Sequence, residues 1–190
     1  MKTLALNILD ISQNSIRARA DEINIAISES SEQDLYKIVI EDNGKGIPPD
    51  ILKNVADPFV TTRTRRRMGM GLALLKYHSE LTGGNIEVIS DEGKGTKVKA
   101  VMSFKHIDRQ PLGDITGVIR ILIAGNQGIN FTYRHTTDAG EYMFSSDETK
   151  KFLEVERLYD AELLDSISSM INENLIDIKA SGLESKAEAQ

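Results

Sequence analysis

The run Tyr36-Lys37-Ile38-Val39-Ile40-Glu41-Asp42 constrains this chain more than any other segment. Alternate side chains of a strand point to opposite faces. Tyr36, Ile38 and Ile40 therefore form one apolar row, and Asp42 continues it with a carboxylate. A charge aimed at the covered side of a sheet needs a partner, because burying it unpaired is costly. Asn43-Gly44-Lys45-Gly46 follows at once, and glycine lets a backbone turn tightly or approach a neighbour closely. The chain reads as sheet-containing, with an inward carboxylate and a glycine-rich turn where a strand ends.

Periodicity supplies the rest of the framework. Leu4, Ile8, Ile11, Ser15 and Ala18 recur at spacings of four and three, which predicts an amphipathic helix over 3–19. Ile23, Ile25 and Ile27 alternate with polar or small residues, as in a half-buried strand. After 36–42, Pro48 and Pro49 open a short helix near 50–55, and 57–69 reads as a loop. A helix over 71–81 stops at Gly83 and Gly84, and 85–90 with 96–104 form a strand pair.

Beyond 105 the pattern predicts a helix over 114–124 and a hairpin of 129–136 with 141–144. Ser145 and Glu148 have capping-box spacing ahead of another helix, 160–179 is helical, and 181–190 is a frayed tail. This divides the chain into a domain of 1–105 and an extension of 106–190 packed on it. Ile119, Ile121, Leu122, Ile123 and Phe131 are too many apolar residues to leave in water, yet the extension alone would have a thin core.

Composition narrows the function. The formal net charge is −6, which opposes broad nucleic-acid binding. With no cysteine there is no disulfide, thiolate zinc site or cysteine nucleophile. Three unclustered histidines argue against a histidine metal site, and His78 reads as a helix-face residue. The N-terminal segment lacks the pattern of a signal peptide and no long apolar run occurs. The expectation is a soluble, cytoplasmic protein with no membrane partner.

Several residues carry chemistry. Asp10, Asn14 and Arg17 share one face of the first helix. A carboxylate, an amide oxygen and a guanidinium form a polar wall suited to a metal and phosphates, or simply a solvated face. Mg²⁺ keeps several waters, so one amide oxygen with phosphate oxygens is enough. The inward Asp42 could accept from the exocyclic amine of adenine. Gly69 and Gly71 begin a predicted helix, whose free N–H groups would seat a phosphate. Thr96 shares the inward row of Val98, Ala100 and Met102 and points toward Asp42.

Taken in order, these segments resemble the superfamily of DNA gyrase, heat-shock chaperone, histidine kinase and mismatch-repair ATPases. Asp10, Asn14 and Ser15 look like its N box, and Asp42-Asn43-Gly44-Lys45-Gly46-Ile47 its first glycine box. Asp57-Pro58-Phe59-Val60-Thr61-Thr62 is similar to the F box of histidine kinases. Gly69-Met70-Gly71-Leu72 matches the second glycine box and Gly93-Lys94-Gly95-Thr96 the last.

The resemblance, which covers about half the chain, implies an α+β fold. Its form is an α/β sandwich of the Bergerat type, with a mixed sheet covered by helices. It implies ATP and Mg²⁺ as ligands, with Asn14 on the metal and Asp42 on adenine. Arg17, Gly44, Gly46, Ile47, Thr61, Thr62, Arg63, Gly69, Met70, Gly71, Leu72 and Thr96 complete the nucleotide contacts. Residues 57–70 become a lid, in which Arg63, Arg65, Arg66 and Arg67 pair with phosphates or dock an acidic partner. Asp10 stands where related ATPases and serine kinases place a catalytic Glu, one methylene shorter.

Two departures accompany it. The strand that usually precedes the N-box helix is missing, and so is a helical segment with a phosphoacceptor His. The expectation is a stand-alone protein. It is either a kinase or ATPase passing the γ-phosphoryl to a partner protein or to water, or a nucleotide-gated binding module without turnover. A homodimer is left open.

Overall fold

The computed structural model describes residues 2–52 and 71–182. Expectations for 53–55 of the short helix, for the loop and lid, and for 183–190 of the tail lie outside the described residues.

Helix α1, Leu4–Arg17, buries Leu4, Ile8, Ile11 and Ser15, the row that periodicity selects. It stops because Arg19 takes a φ of 62°, while the N–H groups of Ala18 and Ala20 return to the carbonyls of Asn14 and Ser15. Strands β1 (Glu22–Ser30) and β2 (Leu35–Asp42) pair antiparallel, with Ile23 opposite Asp42 and Glu29 opposite Tyr36. After the one-turn helix α2 (Pro49–Leu52) come α3 (Gly71–Leu81), β3 (Asn85–Asp91) and β4 (Gly95–Met102). Strand β4 pairs antiparallel with both β2 and β3.

The extension contributes α4 (Ile115–Gly125), β5 (Asn130–Thr137), β6 (Gly140–Ser145), α5 (Ser146–Leu153) and α6 (Ala161–Asp177). The hairpin of β5 and β6 forms, and β5 lies parallel to β1 along its length. The result is one mixed sheet of six strands in the order β3-β4-β2-β1-β5-β6. Helix α1 packs on α3 and α4, and α4 packs on α6. No helix among the described residues is long and apolar enough to cross a membrane.

One side of this sheet carries the core. Ile23, Ile25 and Ile27 of β1 stand beside Ile40 and Ile38 of β2, Val98 and Ala100 of β4, and Phe131 and Tyr133 of β5, all buried. The other side carries the ion pairs Lys97–Glu41 at 2.9 Å and Lys99–Glu87 at 3.9 Å. From α4 the core takes Ile115, Val118, Ile119, Leu122 and Ile123. Ile121 falls outside that arc of the helical wheel and is 57% exposed.

A polar cluster ties the extension to the far end of the sheet. Nε2 of the fully buried His135 lies 2.6 Å from Oε1 of Glu29, and Nδ1 lies 2.6 Å from the Tyr133 hydroxyl. An ionised carboxylate can only accept, so the imidazole donates to Glu29. The N–H of Ser181, just past α6, donates to the same oxygen at 2.9 Å. Burial pushes the Glu29 carboxyl up, but the hydrogen bonds from His135 and Ser181 outweigh it, and the net displacement is below the ordinary 4.5.

A group whose folded pKa is depressed stabilises the fold above its unfolded value, and that stability is lost as pH falls through the folded value. Glu29 should therefore support the fold above pH 4.5 and fail below it. In thermal melts, wild type should lose more stability than Glu29→Gln between about pH 6 and about pH 3. Glu29→Ala, which strands a buried imidazole, should cost about 3 kcal/mol near neutrality.

The β1–β5 ladder makes a second prediction. A fragment of 1–105 would leave β1 as an open edge and uncover the side of α1 that meets α4. It should be insoluble or lose cooperative unfolding in a calorimetric scan. A soluble fragment with a sharp transition would show that the extension is dispensable for the fold.

Candidate nucleotide site

The site is built around the end of β2. Asp42 is 9% exposed. Its Oδ2 accepts from the Ser15 hydroxyl at 2.5 Å, and its Oδ1 accepts from the N–H of Gly44 at 2.9 Å. Ser15 belongs to the apolar row of α1, so its hydroxyl had to find a partner inside. That misplaced polar atom was a signal in the sequence. An ionised carboxylate has about four acceptor positions, so Asp42 retains capacity for a further donor.

Thr96 stands directly opposite Asp42 in the β2–β4 ladder. Its hydroxyl is 2.9 Å from that of Ser90. Ser90 in turn donates to the carbonyl of Gly95 and accepts from the N–H of Ile47, both at 2.8 Å. No sequence pattern set Ser90 apart from any other strand residue. It is the link that joins the first glycine turn to the last.

The glycines serve the packing of these turns. A Cβ on Gly46, whose φ is 68°, would sit 2.1 Å from the Asp91 carbonyl oxygen. One on Gly95, φ 117°, would sit 1.9 Å from the carbonyl oxygen of Asp42, and one on Gly44 would sit 2.9 Å from the Ala18 Cβ. The close approach they permit in this structure is to the protein's own chain, backbone for Gly46 and Gly95 and both backbone and side chain of Ala18 for Gly44. Lys45 completes the weld, its N–H donating to Ala18 and its carbonyl accepting from Gly93.

The middle of α1 makes a second contact. Oδ2 of Asp10 accepts from the N–H of Gly71, the first residue of α3, at 2.9 Å. Asp10 thus occupies the positive end of that helix. Leu72, the next residue, is partly buried against the core. Asn14 is half-buried, and its Oδ1 accepts from the Arg17 guanidinium at 2.9 Å. Asp10 and Ser15 are five residues apart, about 7.5 Å of helical rise. Helix α1 therefore spans the distance between the Asp42 cluster and the start of α3.

The structure brings together Asp42, Gly44, Gly46, Ile47 and Thr96 at one end of the sheet, and Asp10, Gly71 and Leu72 at the junction of α1 with α3. Asn14 and Arg17 pair with each other on the intervening surface of α1. Thr61, Thr62, Arg63, Gly69 and Met70 lie outside the described residues. Among those described, no cluster of three or more acidic or histidine side chains is placed to hold a metal. The oxygen donors available to a cation along α1 are the amide of Asn14 and the carboxylate of Asp10. That set suits an ion which takes most of its ligands from phosphate and water.

Known proteins resemble the chain in sequence over about half its length. The chain is 36% identical over 106 residues to sensor histidine kinase ZraS of Escherichia coli K12, covering 56% of this chain and 23% of that protein. It is 35% identical over 101 residues to sensor protein SrrB of Staphylococcus aureus NCTC 8325, covering 50% of this chain and 17% of that one. The matched region is thus about a fifth of those relatives' length. In fold the chain is similar to the N-terminal domain of a DNA repair protein, with a TM-score of 0.54 at 21% identity over 77% of this chain and 53% of that one. Residues 2–106 match the family model, and the chain belongs to the histidine kinase-, DNA gyrase B- and HSP90-like ATPases.

Proposed function

We propose that this chain binds ATP with Mg²⁺ and passes the γ-phosphoryl to a partner protein or to water. The observation that supports the reading most is the buried Asp42, held by Ser15 and Gly44 beside Thr96. A carboxylate with spare acceptor positions, fixed at the mouth of the sheet, suits the exocyclic amine of adenine. It opposes guanine, which presents a carbonyl there.

From that anchor α1 leads toward the phosphates. Mg²⁺, when bound, would neutralise phosphate charge, with the Asn14 amide oxygen as its protein ligand. Arg17 now donates to that oxygen and would turn to a phosphate instead. Thr61, Thr62, Arg63, Gly69 and Met70 are assigned to the phosphate end by their place in the sequence motifs. In the transfer step the acceptor oxygen or nitrogen bonds to the γ-phosphorus and the bond to the bridging oxygen of ADP breaks. Asp10 takes the acceptor's proton. Positioning and charge neutralisation carry most of such a reaction, so a small set of groups suffices.

A second reading draws on the Asp10–Gly71 contact. A carboxylate engaged at the N-terminus of α3 acts as a cap. On this view nucleotide gates the grip on a partner without turnover, and Asp10 only holds α3 in place.

Isothermal titration tests the adenine contact. Asp42→Asn should weaken ATP binding roughly 30-fold, the equivalent of about 2 kcal/mol for a buried charge-assisted contact. GTP should bind poorly to wild type. Equal curves for the two nucleotides would remove the adenine assignment.

Asp10→Asn separates the two readings, since asparagine can still accept from the Gly71 N–H but cannot take a proton. If Asp10 is the base, ATP affinity should stay within a few-fold while phosphate release or transfer falls by roughly 10²–10⁴. Asn14→Ala should impair both. Full turnover in Asp10→Asn would leave Asp10 as a cap. No turnover in wild type, with candidate partners present, would favour the gated module.

A further inference from the structure

Residues 152–159 expose apolar side chains from an ordered backbone. Phe152 is 86% exposed, Leu153 39%, Val155 37% and Tyr159 70%. Isolated exposed hydrophobics are ordinary, but a concentration of them marks an interaction surface. This one is far from a loose loop. At its start Glu154 adopts φ 54° and caps α5, with its N–H returned to Lys151 and that of Val155 to Lys150. Near its end Leu158 is buried, and its N–H and carbonyl are clamped by the side-chain amide of Gln127, each at 2.8 Å. Asp160 then caps α6 by accepting from Leu163 at 3.0 Å. Pinned at three points, the segment presents its apolar groups with little ordering entropy left to lose on binding.

Charge selects the occupant. From 147 to 165 the side chains outside any ion pair among the described residues are the carboxylates of Glu148, Glu154, Glu156, Asp160 and Glu162, against the cations Lys151 and Arg157. That is five negative against two positive, a balance of −3, within a chain of −6. A second copy docking on the same surface would bring carboxylates against carboxylates. Cations flanking an apolar stripe would satisfy both features at once.

We propose that 152–159 is a docking surface for a protein segment with an apolar face bordered by lysines or arginines. Phe152 and Tyr159 are its anchors, as exposed aromatics commonly are at interfaces, and Glu154 and Glu156 set its preference for basic partners. The surface lies on the extension and does not depend on the reading of the nucleotide site.

The test uses the full chain and two labelled helical probes followed by fluorescence anisotropy, one built of Leu and Lys and the other of Leu and Glu. Wild type should bind the Leu/Lys probe at least about tenfold more tightly than the Leu/Glu probe, and added salt should weaken the binding. Phe152→Ser with Tyr159→Ser should remove it at an unchanged thermal midpoint, because both side chains are in solvent. Glu154→Lys with Glu156→Lys should reverse the preference between probes. Binding that survives the serine pair, or that ignores probe charge, would overturn the proposal. So would sedimentation of wild type as a dimer that the serine pair converts to monomer, which would give the surface to a second copy.

Discussion

The buried carboxylate of Asp42 is the constraint around which the rest is arranged. Its position at the end of an otherwise apolar row would be untenable without compensation. The compensation comes from two different elements, the Ser15 hydroxyl on α1 and the Gly44 N–H of the turn that follows. Each contact fixes something else. Ser15 sets where the C-terminal end of α1 lies over the sheet, and Gly44 sets the course of the chain as it leaves β2. Hydrogen bonds to an ionised acceptor are about twice as strong as neutral ones, and low dielectric makes the unpaired alternative expensive. A polar group thus fixes one end of the sheet's apolar packing.

Rigidity propagates outward from that point. Asn43 accepts from the N–H groups of Asp21 and Glu22, both at 3.0 Å, locking the turn to the start of β1. Gly46 and Gly95 let that turn and the β3–β4 turn lie in backbone contact, and Ser90 bridges them by three hydrogen bonds. Across the sheet, β5 covers the side of β1 that would otherwise be an open edge. Glu29, His135 and Ser181 close the opposite end. The two ends of β1 are therefore held by different means, a glycine-rich turn at one and a buried carboxylate–imidazole hydrogen bond at the other. Residues 2–106 hold the family motif, and the strand beside β1 comes from the sequence beyond it.

What could be read in advance was what short-range chemistry decides. The period of α1, the alternation in β1 and β2 and the inward parity of Asp42 and Thr96 follow from local geometry. So does the capping spacing of Ser145 and Glu148, where the Ser145 hydroxyl accepts from the Glu148 N–H at 3.3 Å. The hairpin of β5 and β6 was likewise legible, but its place beside β1 was not. Parallel pairing joins segments a hundred residues apart, and no local signal selects the partner. The glycines were legible as sites of close approach, yet whether the neighbour is ligand or backbone depends on turns from three separate segments. Ser15 was legible as a hydroxyl standing in an apolar row, whereas Ser90 was hidden because it looked like any serine in a strand.

Asp10 shows how one physical preference can serve two ends. The N-terminus of a helix attracts negative charge, whether from a phosphate or from a side chain. Here the charge at α3 comes from the chain itself, through Oδ2 of Asp10 on the Gly71 N–H. The fit is tight, since a Cβ at Gly71 would fall 2.4 Å from that oxygen, so a larger residue could begin α3 here only if the Asp10 side chain moved. A phosphate arriving at the same N–H would have to displace Asp10 or share the donor with it. Because Asp10 and Ser15 are carried on one rigid helix, a displacement at the α3 end cannot be wholly independent of the Ser15–Asp42 contact. The two ends of the site are mechanically linked by α1 before any ligand is considered.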